Sequence, residues 1–150
     1  MKTVQVESFS LDHTTVKAPH VRLAETFRTP QNDLIEKYDL RFTQPNQEIM
    51  PTGAVHALEH LLAGLMRKEL EGIIDLSPMG CRTGFYLIRL GQGSTDLIAQ
   101  ALVKALEKVV QAETVPAANA TQCGNYRDMS LFGAQEYARE VLQGLREKYA

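Results

Sequence analysis

Cysteine is scarce in this chain, with only Cys81 and Cys123 among 150 residues. That excludes a small domain framed by disulfides, and two lone thiols in a reducing cytosol are not expected to pair. Long apolar runs are missing too. No segment approaches the roughly 20 residues needed to span a bilayer. The N-terminus, Met1-Lys2-Thr3-Val4-Gln5-Val6-Glu7, has no apolar core of signal-peptide length. There is no basic run and the net charge is −2, so nothing suggests nucleic-acid binding. Internal repeats and low-complexity tracts are absent as well. What remains is ordinary in amount: 44% of the residues are apolar, enough in 150 residues for one domain with a real core. The expectation is a soluble, cytoplasmic protein folded as a single domain over residues 1–150, with neither a membrane nor a nucleic-acid partner.

The most informative segment is His56-Ala57-Leu58-Glu59-His60. On a helix of about 3.6 residues per turn, positions four apart lie one above the other. His56 and His60 therefore offer two imidazoles to one point, and neutral imidazoles are good ligands for zinc or ferrous iron. Glu59 lies on the same side, so a carboxylate stands beside any metal the pair binds. A metal with a base next to it polarises an oxygen and moves a proton. Val55, Leu58, Leu61, Leu62, Leu65 and Met66 form a stripe pointing away from the two histidines. Ala63 and Arg67 continue the histidine face. Two readings stay open on the motif alone: a polar, solvated helix face, or a metal site. His-x-x-Glu-His is also the signature of inverzincin metalloproteases, which makes peptide hydrolysis a rival chemistry.

The pattern along the chain predicts an α+β fold, an antiparallel sheet packed against helices as a single pair of layers. Val21 to Phe27 and Leu34 to Phe42 read as strands joined by the hairpin loop Thr29-Pro30-Gln31-Asn32-Asp33. In the second strand Tyr38, Leu40 and Phe42 share one face, and Lys37, Asp39 and Arg41 the other. Lys37 and Arg41 are then either an anion cradle or part of a solvated sheet face. The histidine helix should run from about residue 53 to 70, capped by Thr52 and stopped by Gly72. Ile73 to Leu76 and Phe85 to Leu90 read as short strands. Asp96 to Glu113 and Leu131 to Tyr149 read as helices, capped by Ser94 or Thr95 and by Ser130.

Both cysteines fall in turns, Cys81 in Ser77-Pro78-Met79-Gly80-Cys81-Arg82-Thr83-Gly84 and Cys123 in Thr121-Gln122-Cys123-Gly124-Asn125. Free cysteine is commonly a small buried residue, but neither lies on a periodic core face, and loops on a rigid scaffold are where chemistry tends to reside. Arg82 beside Cys81 favours a thiolate there. A closed structural zinc site, with Cys81 as a fourth ligand, is a further alternative.

Taken together these segments resemble the S-ribosylhomocysteine lyase family, bacterial enzymes of the activated methyl cycle that make the autoinducer-2 precursor. The resemblance covers nearly the whole chain. It rests on Ser8-Phe9, Leu11-Asp12-His13-Thr14, Ala18-Pro19, Tyr38-Asp39-Leu40-Arg41-Phe42 and Pro45-Asn46. It continues through the histidine helix, the Ser77 to Tyr86 turn and Cys123-Gly124-Asn125-Tyr126. It implies one divalent metal per subunit, ferrous iron in the cell and often zinc after purification, held by His56, His60 and Cys123. It implies that Cys81 and Glu59 are the catalytic acid/base groups. Ser8, Phe9, His13, Lys37, Arg41, Arg67 and Asp75 fall where the family has substrate-pocket groups. Phe9 would be a wall supplied across the interface of a homodimer whose active sites lie at that interface. The implied substrate is S-ribosylhomocysteine.

Overall fold

The two expected hairpins join into one sheet. In the computed structural model, which describes residues 3–149, four strands form in the order β1-β2-β4-β3, every neighbour antiparallel. Met1, Lys2 and Ala150, which the expected domain 1–150 includes, lie outside the described residues. The strands are β1 (His20–Arg28), β2 (Leu34–Arg41), β3 (Ile73–Pro78) and β4 (Gly84–Leu90). The helices are α1 (Glu7–Ser10), α2 (Thr52–Glu69), α3 (Thr95–Gln111) and α4 (Leu131–Lys148). The α+β expectation holds: α2, α3 and α4 pack together, and their apolar faces share one core with Val21, Tyr38, Leu40, Leu76, Phe85 and Leu87 of the sheet. The α2 stripe behaves as its spacing predicts, with Val55, Leu58, Leu61, Leu62 and Met66 buried.

Boundaries differ in instructive places. Thr52 is not the cap of α2 but its first residue; Pro51 holds the cap position with no side-chain hydrogen bond. Ser94 caps α3 by accepting from the Leu97 amide, and Ser130 caps α4 by accepting from the Gly133 amide. Gly72 adopts φ +77°, the left-handed turn that separates α2 from β3, where a Cβ would run into the Leu90 carbonyl. The four-residue α1 was not anticipated, because one turn of helix carries no readable period.

The second face of the sheet is not simply solvated. Asp39 and Arg41 are buried, with Arg41 among the largest fully buried side chains. Arg22, His20 and Glu7 gather over Asp39, and Lys37 lies with its ammonium 4.1 Å above the Tyr86 ring. No helix among the described residues is long and apolar enough to cross a membrane.

Candidate metal centre and its flanking cavities

Helix α2 and the loop between α3 and α4 build the centre together. The helix brings the rings of His56 and His60 to 4.8 Å between centroids, edge to face. The loop brings Cys123 over them. One ligand atom from each of His56, His60 and Cys123 lies within 4.8 Å of the others, and Cys123 Sγ is 3.4 Å from His56 Nε2. These are the three residues that the family resemblance implies as ligands.

The rings are oriented by backbone. His56 Nδ1 is 2.9 Å from the Asp128 carbonyl, and His60 Nδ1 is 2.8 Å from the Pro116 carbonyl. A carbonyl oxygen only accepts, so each Nδ1 carries the proton and donates. In the neutral ring Nε2 then keeps its lone pair, and that of His56 faces Cys123. A ring nitrogen held by such an outer hydrogen bond is the usual companion of a metal-ligating histidine. Three protein donors of type N, N and S suit zinc or iron and leave a coordination position open. The residues therefore fit a metal ion. The loop is itself braced: Asn119 Oδ1 accepts from the amides of Thr121 and Gln122, and the Cys123 amide donates to the Asn119 carbonyl at 3.0 Å.

The turn between β3 and β4 divides the space beside this centre. It is pinned from several sides. The Met79 amide donates to Gly84 O at 2.9 Å, the Phe42 amide to Thr83 O at 2.8 Å, and the Met50 amide to Arg82 O at 3.0 Å. Arg82 takes a left-handed φ of 60°, and a side chain at Gly84 would drive a Cβ into the Leu40 carbonyl. On one side, a cavity of about 320 Å³ is lined by His56, Glu59, Met79, Gly80, Arg82 and neighbours. On the other, a cavity of about 300 Å³ is lined by Ser8, Phe9, His13, Arg41, Met79, Gly80, Cys81 and Tyr86. A larger cleft of about 480 Å³ opens between α3 and α4, but no imidazole or thiol lines it. The candidate acid/base side chains Glu59 and Cys81 line the smaller pair.

Cys81 faces Arg41, not His56 and His60. Its Sγ is 3.1 Å from Thr83 Oγ1 and 3.9 Å from Arg41 Nη1. The cation beside the thiol is thus Arg41, reached across the sheet, and Arg82 lines the cavity on the other side. Among the described residues, Cys81 is not part of the ligand cluster, so it does not close the site as a fourth ligand. His13 donates from Nδ1 to the Leu11 carbonyl at 2.9 Å, which fixes its tautomer in the cavity wall.

The other residues implied by the resemblance divide. Ser8, Phe9, His13 and Arg41 share the Cys81 cavity within one chain, and Phe9 is 83% exposed. Lys37 stands behind Tyr86, which lines that cavity. Asp75 is exposed on β3, accepting from the Ser77 hydroxyl, and Arg67 is exposed with Nη1 donating back to Ala63 O at 2.8 Å. Neither lines these two cavities. Sequence reasoning passed over Tyr86 and Thr83 as site residues, since both look like ordinary strand positions. It also had no access to the Asp128 and Pro116 carbonyls, which carry no side-chain signal.

Asp39, behind Arg41, is the most perturbed acid of the region. Burial by itself would raise its pKa. Contact with His20 and the guanidinium of Arg41 outweighs that and holds the carboxyl at about 2.

An α+β layer pair carrying a His/His/Cys cluster fit for a metal ion, with a carboxylate and a second thiol in the flanking cavities, defines a class of protein with a candidate metal centre. Residues 6–149 match the family model described as S-Ribosylhomocysteinase (LuxS). The chain is 62% identical to the S-ribosylhomocysteine lyase of Enterococcus faecalis over 142 residues, 94% of this chain and 93% of that protein. It is 56% identical to the enzyme of that name from Clostridioides difficile, covering 92% of this chain and 91% of the relative. Identity to the Thermus thermophilus enzyme of that name is likewise 56%, over 95% and 92%. The chain belongs to the S-ribosylhomocysteinase family.

Proposed function

We propose that this protein is a metal-dependent lyase that cleaves the thioether of S-ribosylhomocysteine. The products are homocysteine and 4,5-dihydroxy-2,3-pentanedione, the autoinducer-2 precursor. The observation that carries the reading is the meeting of Cys123 with His56 and His60 beside Glu59. Membership of the family supplies the substrate.

The substrate's sulfur is attached to C5 of the sugar, far from the C1 carbonyl. The C–S bond becomes labile only when a carbonyl stands at C3, because a base can then remove the C4 proton and the electron pair expels the sulfur from C5. The carbonyl must therefore move from C1 to C2 and on to C3. Each move takes a proton from one carbon, returns one to its neighbour and shifts a hydroxyl proton, with no net oxidation. Groups that give and take protons on both sides of the chain are required. We assign these roles to Glu59, on the metal side of the turn, and Cys81, on the other side. When bound, a divalent ion at His56, His60 and Cys123 supplies Lewis-acid stabilisation of the oxyanion charge in these steps. Ferrous iron is the occupant we expect in the cell, and zinc after purification in air.

Arg41 supplies the charge that faces Cys81 when the sulfur is negative. Ser8, Phe9 and His13 wall the same cavity and keep water from the reacting carbons. Lys37, Arg67 and Asp75 remain candidate substrate-pocket groups, with none of them matched to a particular substrate group. Arg67 and Asp75 would have to be drawn in by substrate or by a second subunit. We further propose a cytoplasmic homodimer with the two active sites at its interface. The exposure of Phe9 supports this: a large apolar side chain at the mouth of a site is well placed to be covered by a second copy. A peptidase reading is disfavoured, since it gives neither Cys81 nor Arg41 a task.

Metal titration tests the proposal. Stripped protein reloaded stepwise with ferrous iron under nitrogen should release thiol from S-ribosylhomocysteine in proportion to metal, levelling at one ion per chain. Thiol release indifferent to the metal would overturn it.

A further inference from the structure

Asp39 has no exposed side-chain surface. Its Oδ2 accepts from Arg41 Nη2 at 2.8 Å and from Arg22 Nη2 at 3.0 Å. Its Oδ1 faces His20 Nε2 at 3.4 Å, off the line of a good hydrogen bond. Both guanidiniums lead onward. Arg41 reaches Thr83 Oγ1 at 2.8 Å and Cys81 Sγ at 3.9 Å. Arg22 grips Glu7 of α1, and the next two residues of that helix, Ser8 and Phe9, line the Cys81 cavity. One buried carboxylate thus stands behind the cation at the thiol and behind the segment that walls the thiol in.

We infer that Asp39 is a positioning residue, which fixes the Arg41 guanidinium against Cys81 and, through Arg22 and Glu7, seats α1 over the same cavity. The inference rests on the function proposed above. Its physical basis is the way Arg41 is held. The buried Nε of Arg41 has no hydrogen-bond partner, so the plane of the guanidinium is set by its two terminal nitrogens alone. One is held by Thr83 with Cys81 beyond, the other by Asp39. Without the carboxylate's charge the tie at Nη2 drops from a charge-assisted to an ordinary hydrogen bond, and the group can swing about the one to Thr83. A displacement of about 1 Å at a reacting group can cost on the order of 100-fold in rate. The second tie acts differently. Glu7 lies outside the cavity, so loosening it disturbs the wall and hence substrate binding, not the thiol.

The two ties separate in experiment. Asp39→Asn keeps the shape and removes the charge; it should lower kcat by about tenfold or more. Glu7→Gln should raise KM severalfold, with a much smaller loss of kcat than Asp39→Asn shows. In a double-mutant cycle, Asp39→Asn should cost little once Arg41→Met is in place, because it acts through that residue. A readout free of substrate is the rate at which iodoacetamide alkylates Cys81 in the metal-loaded protein, located by peptide mass; it should fall severalfold in Asp39→Asn. Additive losses in the cycle overturn the inference. So does alkylation as fast as, or faster than, in the unaltered protein, since the carboxylate would then oppose the thiolate instead of holding its cation. Should Asp39→Asn not fold, Glu7→Gln and Arg22→Gln decide it, and an unchanged KM in both overturns the inference. If the unaltered protein releases no thiol while Cys81 alkylation still responds to Asp39→Asn, the functional reading fails and the positioning role stands.

Discussion

His56 Nε2 stands 3.4 Å from Cys123 Sγ, although 67 residues separate them in the chain. The contact joins a rigid helix to a long loop, and the loop is held there by the rings it serves, through the Asp128 and Pro116 carbonyls. Removing the thiol should remove the metal. Cys123→Ala is expected to purify with a small fraction of the metal of the unaltered protein. Cys81→Ala should keep its full complement, because Cys81 faces Arg41 and Thr83 instead. Elemental analysis of both variants checks this, and metal lost with Cys81 but kept without Cys123 would reverse the assignment.

Glu59→Gln and Cys81→Ser should both fold and hold metal yet lose most of their turnover. A positioned acid/base group contributes roughly 10²–10⁴-fold, and losses of that order in kcat are expected for each. They stand on opposite sides of the Met79–Gly80 partition, so the two variants should stall at different proton transfers and accumulate different keto sugars. Carbon NMR of the stalled mixtures distinguishes them. Near-normal homocysteine release by either variant would remove its acid/base role.

How much of this was legible beforehand follows from where each signal lives. The α2 motif was readable because helix geometry alone aligns His56, Glu59 and His60. The hairpin β1–β2 was readable from the Thr29 to Asp33 turn and the alternation of Tyr38, Leu40 and Phe42. The cap Ser130 was readable from residue type, which for α3 left Ser94 and Thr95 open. Cys123 at the metal was implied only by resemblance, because no local pattern ties a residue on a loop to a helix 67 positions back. The burial of Asp39 and Arg41 was hidden for a related reason. Their alternation with apolar residues marks a second sheet face, but what covers that face comes from Arg22, His20 and Glu7, whose approach depends on tertiary packing.

Acid should act through Asp39. Its carboxyl is held at about 2 in the folded chain, below the ordinary value of 3.8. A depressed pKa contributes stability that is fully present above the unfolded value, and is lost as pH falls through the folded one. The contribution, on the order of 2 kcal/mol, should therefore persist down to about pH 4 and disappear between about pH 4 and pH 2. Urea denaturation midpoints measured across that range should drop steeply in the unaltered protein. The drop should be shallower in Asp39→Asn, and identical slopes would show that the carboxylate is not a source of acid lability.

Assembly gives a further expectation. Light scattering should report about twice the 16.7 kDa chain mass. Phe9→Ala should raise KM or lower kcat although Phe9 is no ligand and is largely exposed in the single chain. A fully active monomer at assay concentration would refute sites at a shared interface.

The most direct test of the central claim is the reaction itself. Protein purified without oxygen, carrying one ferrous ion per chain, should be mixed with S-ribosylhomocysteine, and free thiol followed by a disulfide reagent. Trapping the dicarbonyl product with an aromatic diamine should give the second product in equal amount. The account predicts catalytic turnover with thiol and dicarbonyl appearing one to one, abolished in Cys81→Ser. Fully metal-loaded, folded protein that releases neither product would contradict it.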